Sequence, residues 1–176
     1  MRRKVRAALG TMLAVGLTLF ASAAPAAAPT TGRQSFEGTI IASGKSGKRT
    51  VVNSLIVARG VFTGSGRIVE VDNRRGDPDN VSRDNLVFPQ GTMHLRVANK
   101  TPKISLDPQT CALTVRIQQT GRIQGGTRMF RDASGTFTGS VRVWGVAVRN
   151  PDGSCSQEAD LLLEGDVVSA RGTLSF

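Results

Sequence analysis

The chain has 176 residues and a formal net charge of +10, with 20 glycines, two cysteines, one histidine, one tryptophan and no tyrosine. A lone histidine gives no zinc spacing and no Ser/His/Asp or Cys/His context for nucleophilic catalysis, so no metal and no cofactor are expected. With little aromatic surface for bases to stack on, and cations standing singly at Arg67, Arg96, Arg116, Arg122, Arg142 and Arg149 on alternating positions, no specific nucleic-acid surface is expected either.

In chain order, the first segment is "MRRKVRAALGTMLAVGLTLFASAAPAAAPT". Arg2, Arg3, Lys4 and Arg6 precede an apolar run from Ala7 to about Ala21, followed by small residues and Pro25 and Pro29. That order of charge, apolar run and small residues is the secretory signal pattern, and residues 1–28 are expected to be removed on export. The run is shorter than the roughly 20 apolar residues a membrane span requires, so the mature chain is expected to be secreted, with no membrane segment. Four of the 23 cations belong to this leader, which leaves 19 against 13 acidic residues, or +6. Residues 29–34 are expected as a flexible spacer and residues 35–176 as one domain.

Beyond the leader, the apolar pattern has a period of two residues. Phe36–Ser43, Thr50–Ala58 and Gly60–Val71 read as strands, the first two joined by the glycine-rich cationic turn "GKSGKR". Asp72–Asn85 is polar and reads as one long loop. "GTMHLRVAN" and "KISL" read as two short strands around a turn at Lys100-Thr101-Pro102. "CALTVRIQQTGRI" and "GTFTGSVRVWGVAVR" are the longest strand candidates, and "ADLLLEGDVV" and "ARGTLSF" close the chain. Cys111 and Cys155 each follow a proline turn at a strand start, so in an exported chain the pair is expected to form a disulfide.

About eight strands, short connections and no helical periodicity predict an all-β chain: a single closed or nearly closed antiparallel β-barrel, with a β-sandwich as the alternative. A sheet closed on itself leaves no exposed edges.

The most patterned stretch is "GGTRMFRDASGTF", Gly125–Phe137, between the two longest strands. Gly125-Gly126 allows a positive φ as the chain leaves one strand. "TRMFRDA" can make one helical turn, with Thr127 or Asp132 supplying local hydrogen bonds and with Phe130 and Ala133 on one face, covering the barrel end. Gly135 returns the chain to a strand, where Phe137 points inward with Gly139, Val141 and Val143. The spacing of Gly125, Gly126, Thr127, Phe130, Ala133, Gly135 and Phe137 resembles the hairpin connection of the allene oxide cyclase and dirigent barrel superfamily, especially its exported bacterial members. "FTGSGRIVEV" and the closing "GTLSF" fit the same layout, so the resemblance covers residues 33–176. It implies a barrel interior that holds a small hydrophobic molecule, with Phe62, Phe130 and Phe137 as candidate ligand contacts.

No catalytic set can be carried over from that family. By strand alternation, Glu70 shares a face with Phe62 and Ile68 and is the one candidate acid or base, because an inward carboxyl is pushed up by burial. His94 and Arg96 are expected to face solvent, opposite Met93, Leu95 and Val97. Glu164 and Asp166 are expected outside too, opposite Leu161, Leu163 and Val167. Asp72, Asp77, Asp79 and Asp84 lack EF-hand spacing and stand among arginines, and "RGD" at Arg75–Asp77 is read as chance. Three functions fit: a ligand- or partner-binding barrel, an isomerase or cyclase working in the cavity, and a structural protein whose interior is filled by Phe62, Phe137 and Trp144. The content of the cavity separates them.

Overall fold

In Ser134–Ala147, Phe137, Gly139, Val141, Val143 and Ala147 alternate with Thr136, Thr138, Ser140, Arg142 and Val146. That two-residue repeat suits a sheet with one dry face and one wet face. A computed structural model of the protein describes residues 30–45, 48–156 and 161–176, and it carries the repeat around a closed wall. Residues 1–29, where a leader is expected, the middle of the "GKSGKR" turn and residues 157–160, which include the start of "ADLLLEGDVV", lie outside the described residues.

The strands are β1 (Thr31–Lys45), β2 (Lys48–Gly60), β3 (Gly64–Val71), β4 (Val81–Phe88), β5 (Gly91–Asn99), β6 (Lys103–Leu106), β7 (Ala112–Gly126), β8 (Ser134–Ala147) and β9 (Leu161–Ser175). Sequential antiparallel pairing runs from β1 to β5, continues from β5 to β7, β8 and β9, and closes from β9 onto β1. The result is the expected eight-stranded barrel, with β6 as an extra strand outside the closed wall.

Three details differ from the sequence reading and one refines it. Residues 31–34, expected as a spacer, already pair with β9. Gln34 is buried there, its Oε1 accepting from Phe62 N at 2.9 Å and its Nε2 donating to Phe62 O at 3.0 Å. The long loop ends at Asn80, because Val81–Phe88 is a full strand against β3 and β5. β5 and β6 flank the turn at Lys100–Pro102 as expected, but they do not pair with each other. Both run antiparallel to β7, from Asn99 opposite Gln119 on to Lys103 opposite Arg116. The last two strand candidates are one continuous strand, β9.

The "GGTRMFRDASGTF" connection closes one end of the barrel. Gly125 takes φ +76°, and a Cβ on Gly126 would stand 1.9 Å from the Thr92 carbonyl oxygen, so a side chain there would push β5 and β7 apart. Arg128–Phe130 form a single 3-10 turn, and Phe130 and Ala133 are both buried as expected. Thr127 does not cap this turn; its Oγ1 accepts from Thr92 N at 3.1 Å and ties the turn to β5. Phe130 touches three rings: Phe62 with centroids 5.0 Å apart, Phe88 at 5.7 Å and Phe176 at 5.9 Å. Met93 and Leu174 complete this aromatic plug.

The opposite end is held by the Cys111–Cys155 disulfide, with the Cα atoms 5.4 Å apart. A second, smaller apolar cluster of Cys111, Ala147 and Leu161 surrounds it. The 72–80 loop folds over this end of β4. Asp77 accepts from Arg83 Nε at 2.6 Å and Nη2 at 3.0 Å, and from Arg74 N at 2.8 Å. The "RGD" aspartate is thus occupied by Arg74 of its own loop and by Arg83 of β4. The Arg83 hydrogen bond holds its carboxyl down at about 2, so this tie persists until strongly acid pH.

Candidate functional site

Between the plug and the disulfide end lies a cavity of about 290 Å³. Its walls come from the inward residues of all eight barrel strands, among them Phe36, Ile40, Ile56, Ile68, Leu86, Leu95, Phe137, Val141 and Val168. The polar lining collects at the end away from the plug: Glu70 from β3, Ser82, Arg83 and Asp84 from β4, Asn99 from β5, Gln119 from β7 and Asp166 from β9, with the Arg83 guanidinium held by Asp77.

Arg49 organises this mouth. It faces inward because β2 carries a bulge: Ile41 pairs with Asn53 but Ala42 pairs with Val51, which leaves Val52 as an extra, exposed residue. The extra residue reverses the alternation and turns Arg49 toward Glu164 and Asp166. Arg49 Nε donates to Glu164 Oε1 at 2.8 Å and Nη2 donates to Asp166 Oδ2 at 3.0 Å, while Nη1 contacts Glu70 Oε2. One guanidinium therefore serves three carboxylates, with Asp84 close enough to feel both Glu70 and Arg49.

The electrostatics follow from crowding and burial. Asp166 is only 6% exposed, and its Oδ1 has no hydrogen-bond partner among the described residues. Burial, and then the neighbouring Glu164 carboxylate, push it up to about 7 against the pull of Arg49. Burial, and then Glu70, push Asp84 up to about 6. Asp166, crowded by the Glu164 carboxylate, is able to hold a proton near neutral pH, which equips the mouth to give or take one.

The same crowding has a cost in stability. The folded state holds the Asp166 proton more tightly than the unfolded chain does, so stability falls as pH rises from about 4 to about 7. Asp166→Asn copies the protonated carboxyl and leaves Arg49 paired to Glu70 and Glu164. It is expected to be more stable than the native chain at pH 8 by about 1–3 kcal/mol, the difference closing towards pH 5. Urea unfolding at the two pH values measures it; a variant less stable at pH 8 would contradict this account of the mouth.

The structure places the sequence-predicted residues unevenly. Glu70 does reach the cavity, at its rim, with its side chain 45% exposed. Glu164 and Asp166 are not on the solvent face as expected. They point inward with Val168, Ala170 and Leu174, while Leu163 and Val167 are exposed. Phe137 lines the cavity, whereas Phe62 and Phe130 belong to the plug and do not. Trp144 lies outside the barrel, its ring 2.2 Å from where a Cβ on Gly165 would stand. His94 is on the outer face as expected, with Nδ1 2.7 Å from Asn85 Oδ1. Sequence reading missed Arg49 and Asp84 as well as Asp166.

Fold and site together define a closed eight-stranded antiparallel barrel with an apolar cavity and a carboxylate-lined mouth. No protein-family model, curated protein or solved structure matches this chain.

Proposed function

We propose that the protein is an exported barrel that holds one small, mainly apolar molecule, its body in the cavity and its polar end at Arg49 and the carboxylates. One observation carries this reading: an apolar cavity of about 290 Å³ whose carboxylates are gathered at one end. That volume lies near the lower edge of ligand pockets, roughly 300–1,000 Å³. Export rests on the composition of residues 1–28, and the cystine suits an oxidising compartment. The likeness of Gly125–Phe137 to allene oxide cyclase and dirigent barrels points the same way, since those barrels hold apolar substrates. A filled structural barrel has no such support, because Trp144 is outside and Phe62 belongs to the plug.

Native mass spectrometry of protein purified from its producing cells tests the reading. A one-to-one small-molecule adduct is expected, absent from a Val141→Trp variant whose side chain fills the cavity. Native protein that carries nothing and yields no small molecule on extraction counts against it.

A second reading, an isomerase or cyclase, is favoured by the position of Asp166, a carboxyl at the cavity mouth that exchanges its proton near neutral pH. Turnover of an unsaturated epoxide, lost in Asp166→Asn and in Glu70→Gln, would support it. Turnover that survives both substitutions would remove these groups from the chemistry.

A further inference from the structure

We propose that the polar end of the ligand is a cation: a protonated amine carried on a small apolar body. This deepens the cavity reading and rests on it. The mouth gathers four carboxylates, Glu70, Asp84, Glu164 and Asp166, from three strands. Among the described side chains, the one cation touching them is Arg49; Arg83 also borders the cavity, but its guanidinium is spent on Asp77, and Ser82, Asn99 and Gln119 are neutral. One positive charge against four carboxylates leaves a surplus of negative charge around a low-dielectric chamber, where the interaction with a head-group charge is strong. A carboxylate head group would be repelled. A hydroxyl could offer one hydrogen bond. An ammonium brings up to three N–H donors and the missing charge.

Asp166 supplies the independent observation. It lines the cavity, is 94% buried, and its Oδ1 is enclosed without a partner. Arg49 occupies only Oδ2. Apart from Arg49, what stands beside Asp166 is another carboxylate, Glu164, so no N–H of the described residues reaches this oxygen and an N–H from a ligand would satisfy it, because buried polar atoms are normally paired. The apolar walls then hold the rest of the molecule, and the plug behind Phe137 limits its length.

The sign of the pH dependence follows. Near pH 8 Asp166 and Asp84 are ionised and attraction for an ammonium is greatest. As pH falls through about 7 and then about 6, Asp166 and Asp84 take up protons and the attraction weakens.

The test compares 2-phenylethylamine, 2-phenylethanol and 3-phenylpropanoate, three probes with the same apolar body. Binding is followed by the methyl resonances of Ile40, Ile56 and Ile68, which line the cavity, at pH 8 and pH 5.5. At pH 8 the amine is expected to bind at least about tenfold more tightly than the alcohol, with the carboxylate weakest. That preference is expected to shrink to about threefold or less at pH 5.5, and likewise at pH 8 in Asp166→Asn and in Glu164→Gln. An alcohol that binds as tightly as the amine overturns the cation while leaving the cavity reading intact. A full amine preference in Asp166→Asn overturns the role given to Asp166. No saturable shift of the cavity methyls with any probe overturns both the inference and the cavity reading.

Discussion

Replacing Phe130 with alanine is expected to lower the free energy of unfolding by about 3–5 kcal/mol. Phe130 is completely buried and is the hub of the plug, in contact with the rings of Phe62, Phe88 and Phe176. The four rings come from places far apart in sequence, so the hub joins the β2–β3 connection, the end of β4, the 3-10 turn and the chain terminus. Truncation would remove the ring contacts and leave a void that β-strands fixed by ladder hydrogen bonds cannot easily collapse around. It would also open the closed end of the barrel into the cavity. Phe130→Leu, which keeps most of the volume, is expected to cost much less. Equilibrium unfolding in urea measures both. A loss below about 1 kcal/mol for the alanine variant would mean that the turn is not the plug described here.

The second large effect is expected at the other end of the barrel. Reduction of the Cys111–Cys155 bond, or replacement of both residues by serine, frees a loop spanning 44 residues of sequence separation. The chain-entropy account assigns such a crosslink about 4 kcal/mol. The local structure that it secures is well hydrogen-bonded: Cys111 N donates to Asp107 O at 2.8 Å, Ala147 N donates to Cys111 O at 2.9 Å, and Arg149 Nη2 donates to Gln109 O at 2.6 Å. Those bonds favour a loop end that stays folded after reduction while the whole chain becomes less stable. Thermal unfolding with and without reductant checks this. An unchanged midpoint with two free thiols confirmed by mass would contradict the stabilising role.

The barrel was legible because its signals are local and repeated. Alternation in β7 and β8, the glycine pair and the Phe130–Ala133 spacing each follow from short-range geometry, and the two cysteines flanked by proline turns pointed to each other. The mouth was harder, for three physical reasons. In β9 the run Leu161-Leu162-Leu163 has no alternation, so phase taken from it was wrong by one residue. Reading back from Leu174 and Ala170 through one unbroken strand puts Asp166 and Glu164 inside, so the signal was present but lay downstream. In β4, Leu86 and Phe88 carry the phase that points Asp84 inward, but the polar residues around Asp84 disguise a strand as loop. Arg49 depends on the bulge at Val52, where one extra residue reverses the alternation of everything before it. A bulge in a Thr-Val-Val-Asn run has no composition of its own to announce it.

The central claim is that the interior is an open apolar chamber rather than a packed core. It is tested most directly by titrating the protein with benzene, a neutral probe with no polar end, and following the isoleucine methyl resonances. Dry apolar cavities take up such molecules. Ile40, Ile56, Ile68 and Ile117 line the cavity, while Ile104 lies on β6 outside the barrel, 65% exposed. The account predicts saturable shifts of the first four, with Ile104 unmoved, and their loss in Val141→Trp. Cavity methyls that do not respond, or that shift no more than Ile104, would contradict it.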